Sequence, residues 1–184
     1  MTDNHDTVTA ALPTPGAGPQ MRMVEVALIE ESLTNPRKHF DPIKMEELAA
    51  SIKASGVHTP ILLRPLPGHR VPDTWGFRRK GSALPAYELV AGARRLRACR
   101  LAQVAEIPAM IRELTDAQAL EAQVIENLQR QDITAMEEAE GFRLLVDRNG
   151  LTAKDVARQI SKSVRYVYQR MQLLDLIHEA SEAV

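Results

Sequence analysis

The feature that most constrains this chain is a change in its hydrophobic pattern near residue 113. Before that point, short apolar runs typical of strands alternate with segments of helical periodicity. After it, apolar residues recur at helical spacing along the rest of the chain. The pattern predicts an α+β fold, in which a small mixed-sheet domain is followed by an all-α domain.

The chain divides into three regions, with the boundary between its two domains near Gln131. Residues 1–22 are rich in Thr, Pro, Gly and Ala and lack apolar periodicity, which is typical of a flexible tail. We expect the mixed-sheet domain over residues 23–130 and the helical domain over residues 131–184. Residues 67–85 hold several prolines and glycines around three adjacent basic residues, and they predict a basic insert between strands.

Two segments of the first domain carry clear local signals. The alternation in MVEVALIE (23–30) predicts one strand. Residues 40–56, FDPIKMEELAASIKASG, predict a helix that is capped by Asp41 and ended by Gly56. Within that helix, we expect the buried face to carry Ile43, Leu48 and Ile52.

The charge of the chain is small overall but unevenly distributed. The net charge is −1, yet residues 61–112 hold ten Lys or Arg against three Asp or Glu. Residues 113–150 hold three against nine, and residues 151–174 hold five against one. Two basic segments therefore flank an acidic one, and basic surfaces of this kind suit nucleotides and nucleic acids.

Several classes of function lack support in the composition. The single cysteine, Cys99, cannot form an intramolecular disulfide, which fits a reducing cytoplasm. The five scattered histidines show no metal-ligand spacing. No apolar run approaches the roughly 20 residues of a membrane span, so we expect no membrane partner.

The segment ELVAGARRLRACR (88–100) predicts a strand, a glycine and then an arginine-rich helix. The first turn of a helix offers unpaired N–H groups and the positive end of the helix dipole, which suit a phosphate. Gly92, which has no side chain, would let that phosphate approach the backbone closely. The arginines would add charge-assisted hydrogen bonds to phosphate oxygens. A solvated basic helix face is the alternative interpretation of these residues.

Polar residues also end the helix that contains IENLQRQD (125–132). The carboxylate of Glu126 and the carboxamide of Asn127 are oxygen donors of the kind that Mg²⁺ prefers. On these residues alone, the ordinary polarity of a helix end is the alternative.

The segment LTAKDVARQISKSVRYVYQRMQLL (151–174) has the length and pattern of a helix-turn-helix. Its second helix would bury Val164, Val167, Met171 and Leu174. The residues expected to point outward toward base edges are Lys162, Arg165, Tyr166 and Gln169. Lys154 and Arg170 are interpreted as phosphate contacts. An ordinary helical hairpin is the alternative.

Taken together, NPRKHFDPIKMEELAASIKASGVHTPILLRPL, ELVAGARRLRAC and IENLQRQDITAMEEA resemble the ParB family of plasmid and chromosome partition proteins in order and spacing. The resemblance implies a ParB/sulfiredoxin-like first domain that binds CTP, or another nucleoside triphosphate, together with Mg²⁺. It implies that Arg37, Gly56 and Thr59 form one wall of the nucleotide pocket. By the same resemblance, Gly92, Arg94 and Arg95 hold the triphosphate, and Glu126 and Asn127 coordinate Mg²⁺.

Two positions depart from the family pattern. Ala93 stands where the family has glutamate in Gly-Glu-Arg-Arg, which removes a carboxylate from beside the phosphates and leaves at most a slow CTPase. Thr59 stands where the family favours glutamine, which bears on nucleotide selectivity. Sulfiredoxin chemistry is excluded because the reactive cysteine of that family would occupy position 93, and Cys99 is interpreted as a packed thiol.

The leading hypothesis is a partition-type protein that binds a centromere-like DNA site with a nucleotide as switch. The resemblance implies double-stranded DNA, a second copy of the chain in a dimer and a partition ATPase as partners, in the cytoplasm at a nucleoid or plasmid. We expect the basic insert to contact DNA phosphate or a neighbouring subunit. Since family members continue to a C-terminal dimer domain, we expect the second domain to be truncated. The alternatives are a ParB-like nuclease or nucleotidase and a plain transcriptional repressor.

Overall fold

The computed structural model describes residues 18–35, 40–68, 86–130 and 132–182, the last six of these in backbone only. The basic insert beyond Gly68 and the proposed site residue Arg37 lie outside the described residues. The strands are β1 (Gln20–Glu25), β2 (Ile29–Glu31), β3 (Ile61–Pro65), β4 (Tyr87–Ala91) and β5 (Glu106–Ile111). The helices are α1 (Pro42–Ser55), α2 (Ala93–Leu101), α3 (Asp116–Leu128), α4 (Ala135–Asn149), α5 (Ala153–Gln159) and α6 (Val164–Glu182).

The five strands form one mixed sheet in the order β1-β5-β3-β4-β2. β1 runs antiparallel to β5, β3 runs parallel to β5 and antiparallel to β4, and β2 runs parallel to β4. A sheet followed by a run of helices confirms the expected α+β fold class.

The segment predicted as one strand over residues 23–30 is instead two strands at opposite edges of the sheet. A 3₁₀ turn, Val26–Leu28, separates them. The Val26 N–H donates to the Ala105 carbonyl and the Leu28 carbonyl accepts from the Ala86 N–H, each at 2.8 Å, so the turn crosses the end of the sheet. The expected tail is also too long, because β1 begins at Gln20, where it pairs with Ile111.

The first hydrophobic core lies between the sheet and helices α1 and α2. Asp41 caps α1 through hydrogen bonds from two backbone N–H groups, and the helix ends at Gly56, as the sequence predicts. Of the predicted face, Ile52 is buried and Leu48 is half-buried against the core, but Ile43 is 69% exposed. Met45 and Ala49 are buried in its place. The core face of α1 is set by where the sheet lies, which the sequence of the helix does not contain.

Helices α3 to α6 enclose a second core, with Val124, Phe142, Leu145, Val156 and Val167 at its centre. α3 also contacts the sheet, through Arg64 of β3, which forms a buried ion pair with Glu88 of β4. Arg64 and Glu88, both almost fully buried, approach to 2.6 Å, and Arg64 reaches Asp116 at the start of α3 at the same distance.

No helix of the described residues is both long and apolar enough to cross a membrane.

Candidate functional site

The turn between β4 and α2 is built around Gly92. Its φ of +102° lies in the left-handed region, and a Cβ there would lie 2.7 Å from Cγ2 of Ile61. No side chain caps the start of α2. The first turn of α2 is therefore an uncapped helix start of the kind that suits an anion, and anion binding at this turn stays a prediction.

A cavity of about 480 Å³ opens beside this turn. Its wall combines the β4–α2 turn with one side of α3 and includes Gly92, Ala93, Arg94, Arg95, Gln123, Glu126, Gln129 and Arg130. We call it the Gly92 pocket. Its volume falls within the range of about 300–1,000 Å³ that is typical of small-molecule sites.

The arginines of α2 have different roles, which the sequence alone did not separate. Arg94 is exposed and has no hydrogen-bond or ion-pair partner among the residues that the structure describes. Arg95 is half-buried, and its Nη1 donates to the backbone carbonyls of Thr59 at 2.6 Å and Pro60 at 2.5 Å. Burial lowers the pKa of Arg95, and the charge of Glu126 partly opposes that shift. Arg94 is thus available to a ligand, whereas Arg95 supports the wall of the pocket.

The other two arginines of α2 are structural. Arg97 forms a bidentate pair with Glu31, with Nη2 2.7 Å from Oε2, and Arg100 lies 2.9 Å from Oε1 of the same carboxylate. The Arg97 guanidinium also stacks over the Phe40 ring at 4.0 Å from its centroid. These two arginines join α2 to β2.

The proposed magnesium ligands Glu126 and Asn127 do not lie together. Glu126 is exposed in the Gly92 pocket, while Asn127 is buried on another side of α3, where its Oδ1 accepts from Arg130 Nη1 at 3.1 Å. Adjacent helical residues point about 100° apart, so they share a site only when the ligand bridges two faces. The structure thus places only Glu126 at the Gly92 pocket, and the metal pair stays a prediction.

Gly56 and Thr59 do not line the Gly92 pocket. Gly56 ends α1, and Thr59 contributes only its backbone carbonyl, to Arg95. Sequence reasoning missed three other residues of this region: Gln123, Arg130 and Lys44. Arg130 and Lys44, with Arg94, line an adjoining cavity of about 420 Å³. The basic residue in IENLQRQD was the available signal for Arg130.

Helices α5 and α6 form the predicted helix-turn-helix. Thr152 and Asp155 form a capping box at the start of α5, and Ser163 Oγ accepts from the Tyr166 N–H at the start of α6. Ser161, in the turn, has a φ of +56°, the left-handed conformation that glycine usually supplies.

Most of the predicted DNA-contacting side chains point to solvent. The exposed residues are Lys154, Lys162, Arg165 and Gln169. They form what we call the α6 surface. Tyr168 is also exposed, at 56%, and was not predicted from the sequence.

Tyr166 turns inward, contrary to the expectation that it points outward. Its hydroxyl donates to Oε2 of Glu138 at 2.7 Å, and its ring makes an edge contact with Phe142. Arg170 Nε lies 2.9 Å from the same Glu138 oxygen, and the hydrogen bond with the Tyr166 hydroxyl raises the pKa of Arg170. Tyr166 and Arg170 therefore join α6 to α4, and this role differs from the phosphate contact expected of Arg170.

Val164 is also a correction, because it was expected in the buried stripe of α6 and is 38% exposed. Val167 is fully buried, and Met171 and Leu174 are half-buried. Cys99 is fully buried, and burial raises the pKa of its thiol, which confirms the interpretation of a packed thiol.

These features together define a class of two-part proteins, in which a small mixed sheet with a glycine turn before an arginine-rich helix precedes a helix-turn-helix. Residues 13–128 match the ParB N-terminal domain, and residues 131–184 match the ParB HTH domain. The chain therefore belongs to the ParB family.

Curated relatives agree with this assignment. The chain is 39% identical over 175 residues to the chromosome-partitioning protein Spo0J of Thermus thermophilus, covering 95% of this chain and 58% of that protein. It is also 39% identical over 148 residues to the chromosome-partitioning protein ParB of Myxococcus xanthus, covering 80% and 44%. The chain thus spans about half the length of the curated relatives that it matches.

Two solved structures of C-terminally truncated ParB from Caulobacter crescentus are similar to this chain. The complex with the centromeric parS site has 32% identity and a TM-score of 0.64, covering 83% of this chain and 71% of that one. The complex with CTP-gamma-S has 33% identity and a TM-score of 0.50, covering 85% and 79%.

Proposed function

We propose that this chain binds a specific centromere-like DNA site and uses a bound nucleotide, CTP, as a switch in chromosome or plasmid partition. The observation that carries this proposal is the presence of the Gly92 pocket and the α6 surface in one ParB-family chain. Similar ParB structures hold a parS site and CTP-gamma-S, which are ligands of the two kinds that these surfaces suit.

DNA binding is assigned to α5 and α6. The side chains of Arg165 and Gln169 extend from the first half of α6 and are exposed, which suits the edges of guanine and adenine in the major groove. Lys154 and Lys162 flank them and suit the phosphate backbone.

Nucleotide binding is assigned to the Gly92 pocket. A triphosphate carries up to about four negative charges, and helix N-termini and arginines are the groups that usually receive them. The first turn of α2 supplies N–H groups, and Arg94 supplies a guanidinium without a partner in the described part of the chain. Arg130 and Lys44 lie in the adjoining cavity and extend the positive surface.

The residues present fit a magnesium ion only in part. The carboxylate of Glu126 is exposed at the pocket and would share Mg²⁺ with phosphate oxygens, and the bound ion would neutralise phosphate charge. Asn127 does not fit this role as it lies, because its carboxamide oxygen accepts from Arg130.

Hydrolysis is expected to be slow. The methyl group of Ala93 lies in the pocket wall at the start of α2, where it has no proton acceptor to position an attacking water. The nucleotide therefore acts as a bound switch more than as a substrate. Because the chain belongs to the ParB family, we also propose that it forms a dimer and works with a partition ATPase. Its location would be the cytoplasm, at a nucleoid or plasmid.

A binding screen tests the proposal. The chain is titrated with CTP, ATP, GTP and UTP, with and without Mg²⁺, alone and with a parS-containing or scrambled duplex. We expect Mg²⁺-dependent binding of CTP and a preference for the parS duplex. Equal affinity for the two duplexes contradicts specific DNA binding, and failure of every nucleotide to bind contradicts the pocket. Metal-dependent nicking of the duplex would instead favour the nuclease alternative.

A further inference from the structure

One polar group in the Gly92 pocket lacks a partner. Gln123 on α3 is only 3% exposed, and its Nε2 has no hydrogen bond within the described part of the chain. A buried donor left unsatisfied costs about 1–3 kcal/mol. The NH₂ end of this carboxamide is therefore a donor that the folded chain tolerates and does not itself use.

The opposite end of the carboxamide is held in place. The hydroxyl of Thr34 donates to Oε1 of Gln123 at 2.8 Å, and the Ser32 hydroxyl lies 2.8 Å from the Thr34 oxygen. Ser32 Oγ also accepts from the Thr34 N–H at 3.3 Å, which fixes the segment after β2. This chain of hydroxyls orients the carbonyl of Gln123 toward Thr34 and leaves the NH₂ group as the unpaired end.

The surroundings of Gln123 indicate what would satisfy that donor. Gln123 lines the same cavity as Arg94, whose guanidinium is a donor without a partner among the described residues. Two such donors in the wall of one cavity suit a ligand group that accepts hydrogen bonds and carries negative charge. A phosphate oxygen has both properties.

We propose that Gln123 is a ligand-contacting residue, whose Nε2 donates a hydrogen bond to a phosphate oxygen of the nucleotide in the Gly92 pocket. This inference rests on the proposed nucleotide-binding function and adds to it a residue outside the motifs that carry the family resemblance. The hydrogen bond between Thr34 and Gln123 orients the carboxamide before the ligand enters.

The test compares Gln123→Met with the parent chain by calorimetry, with CTP and with inorganic tripolyphosphate as separate ligands in the presence of Mg²⁺. Methionine keeps the length of the side chain and removes the donor. We expect Kd to rise about tenfold for both ligands, as for a hydrogen bond to a charged group. The melting temperature of the free variant should stay close to that of the parent, since the substitution removes the unpaired donor together with the hydrogen bond from Thr34.

The control is Gln172→Met, an exposed position on α6, which should leave both Kd values unchanged. Unchanged affinity of Gln123→Met, with Arg94→Ala still impaired, overturns this inference and leaves the proposed function standing. A loss confined to CTP overturns the phosphate assignment and points to the base or sugar. A parent that binds neither ligand rejects the nucleotide function itself. If Gln123→Met does not fold, Thr34→Val tests the same contact, and unchanged affinity in that variant overturns it.

Discussion

The hydroxyl of Tyr166 lies 2.7 Å from Oε2 of Glu138, which joins the recognition helix α6 to α4. Arg170 reaches the same oxygen at 2.9 Å, and Glu138 is buried at 9% exposure. A buried carboxylate with two donors fixes the rotation of α6, because both donors lie on one face of that helix, four residues apart.

Replacing Glu138 by alanine should therefore destabilise the helical domain. The substitution leaves the Tyr166 hydroxyl without its acceptor and the Arg170 guanidinium with only the Tyr166 oxygen, which should lower the free energy of unfolding by about 1–3 kcal/mol. Urea unfolding measures this loss. Glu140→Ala, an exposed carboxylate on the same helix, is the control and should change stability little. Equal effects of the two substitutions would contradict the role of the contact.

Arg165→Ala and Gln169→Ala should each weaken binding to a parS-containing duplex by about 1–3 kcal/mol if these side chains reach base edges. Lys154→Ala should weaken specific and scrambled duplexes alike and flatten the salt dependence. Fluorescence anisotropy at several salt concentrations separates the two effects. Retention of full parS affinity by both α6 variants would show that the α6 surface does not read bases.

Arg94→Ala and Arg97→Ala should affect different properties, although both arginines lie on α2. The first should weaken nucleotide binding and the second should lower stability. Arg94 is exposed in the Gly92 pocket, so its loss should raise the Kd for CTP about tenfold or more and leave stability unchanged. Arg97 pairs with Glu31, so its loss should lower the melting temperature with little direct effect on the pocket. Calorimetry and thermal unfolding of the same preparations test this contrast, and a reversed pattern would reject the assignment.

Ala93→Glu should raise nucleotide turnover without improving affinity. The substitution places a carboxylate at the start of α2 beside the proposed phosphate position, where it can accept a proton from water. Phosphate release and calorimetry measure the two quantities, with Ala93→Gln as the uncharged control. Brisk hydrolysis by the parent chain would show that the missing carboxylate does not set the rate.

The Thr134–Glu137 capping box should make α4 sensitive to acid. The backbone N–H and hydroxyl of Thr134 both donate to Glu137 Oε2 at 2.9 Å, and these bonds lower the pKa of Glu137. A carboxylate whose pKa is lower in the folded state stabilises the fold above its unfolded pKa, and that contribution is lost as the pH falls through the folded pKa.

Glu137→Gln keeps a capping side chain but removes the charge. The variant should be less stable than the parent at neutral pH, and the difference should vanish as the solution is acidified below the pKa of the folded carboxyl. Urea unfolding across this pH range measures the difference. If the difference in stability between the parent and the variant persists unchanged in acid, the charge of Glu137 does not cause it.

The sequence by itself determined the elements that depend on neighbouring residues. Asp41 and Gly56 marked the two ends of α1, and Gly92 marked the turn before α2. Each of these signals acts over a few residues through backbone hydrogen bonds or allowed φ angles, so it can be recognised without knowing the fold. The three motifs that carry the family resemblance are likewise short stretches of consecutive residues, which can be recognised without knowing the fold.

Only the tertiary structure decided which side chains line the Gly92 pocket and which belong to the α6 surface. Arg94 and Arg95 are adjacent and chemically identical. Yet it is Arg95 that donates to the Thr59 and Pro60 carbonyls, just before β3. Tyr166 turns inward because Glu138, 28 residues earlier, lies beneath it. Such choices depend on how distant elements pack, and contacts between distant elements leave no periodic signal in either segment.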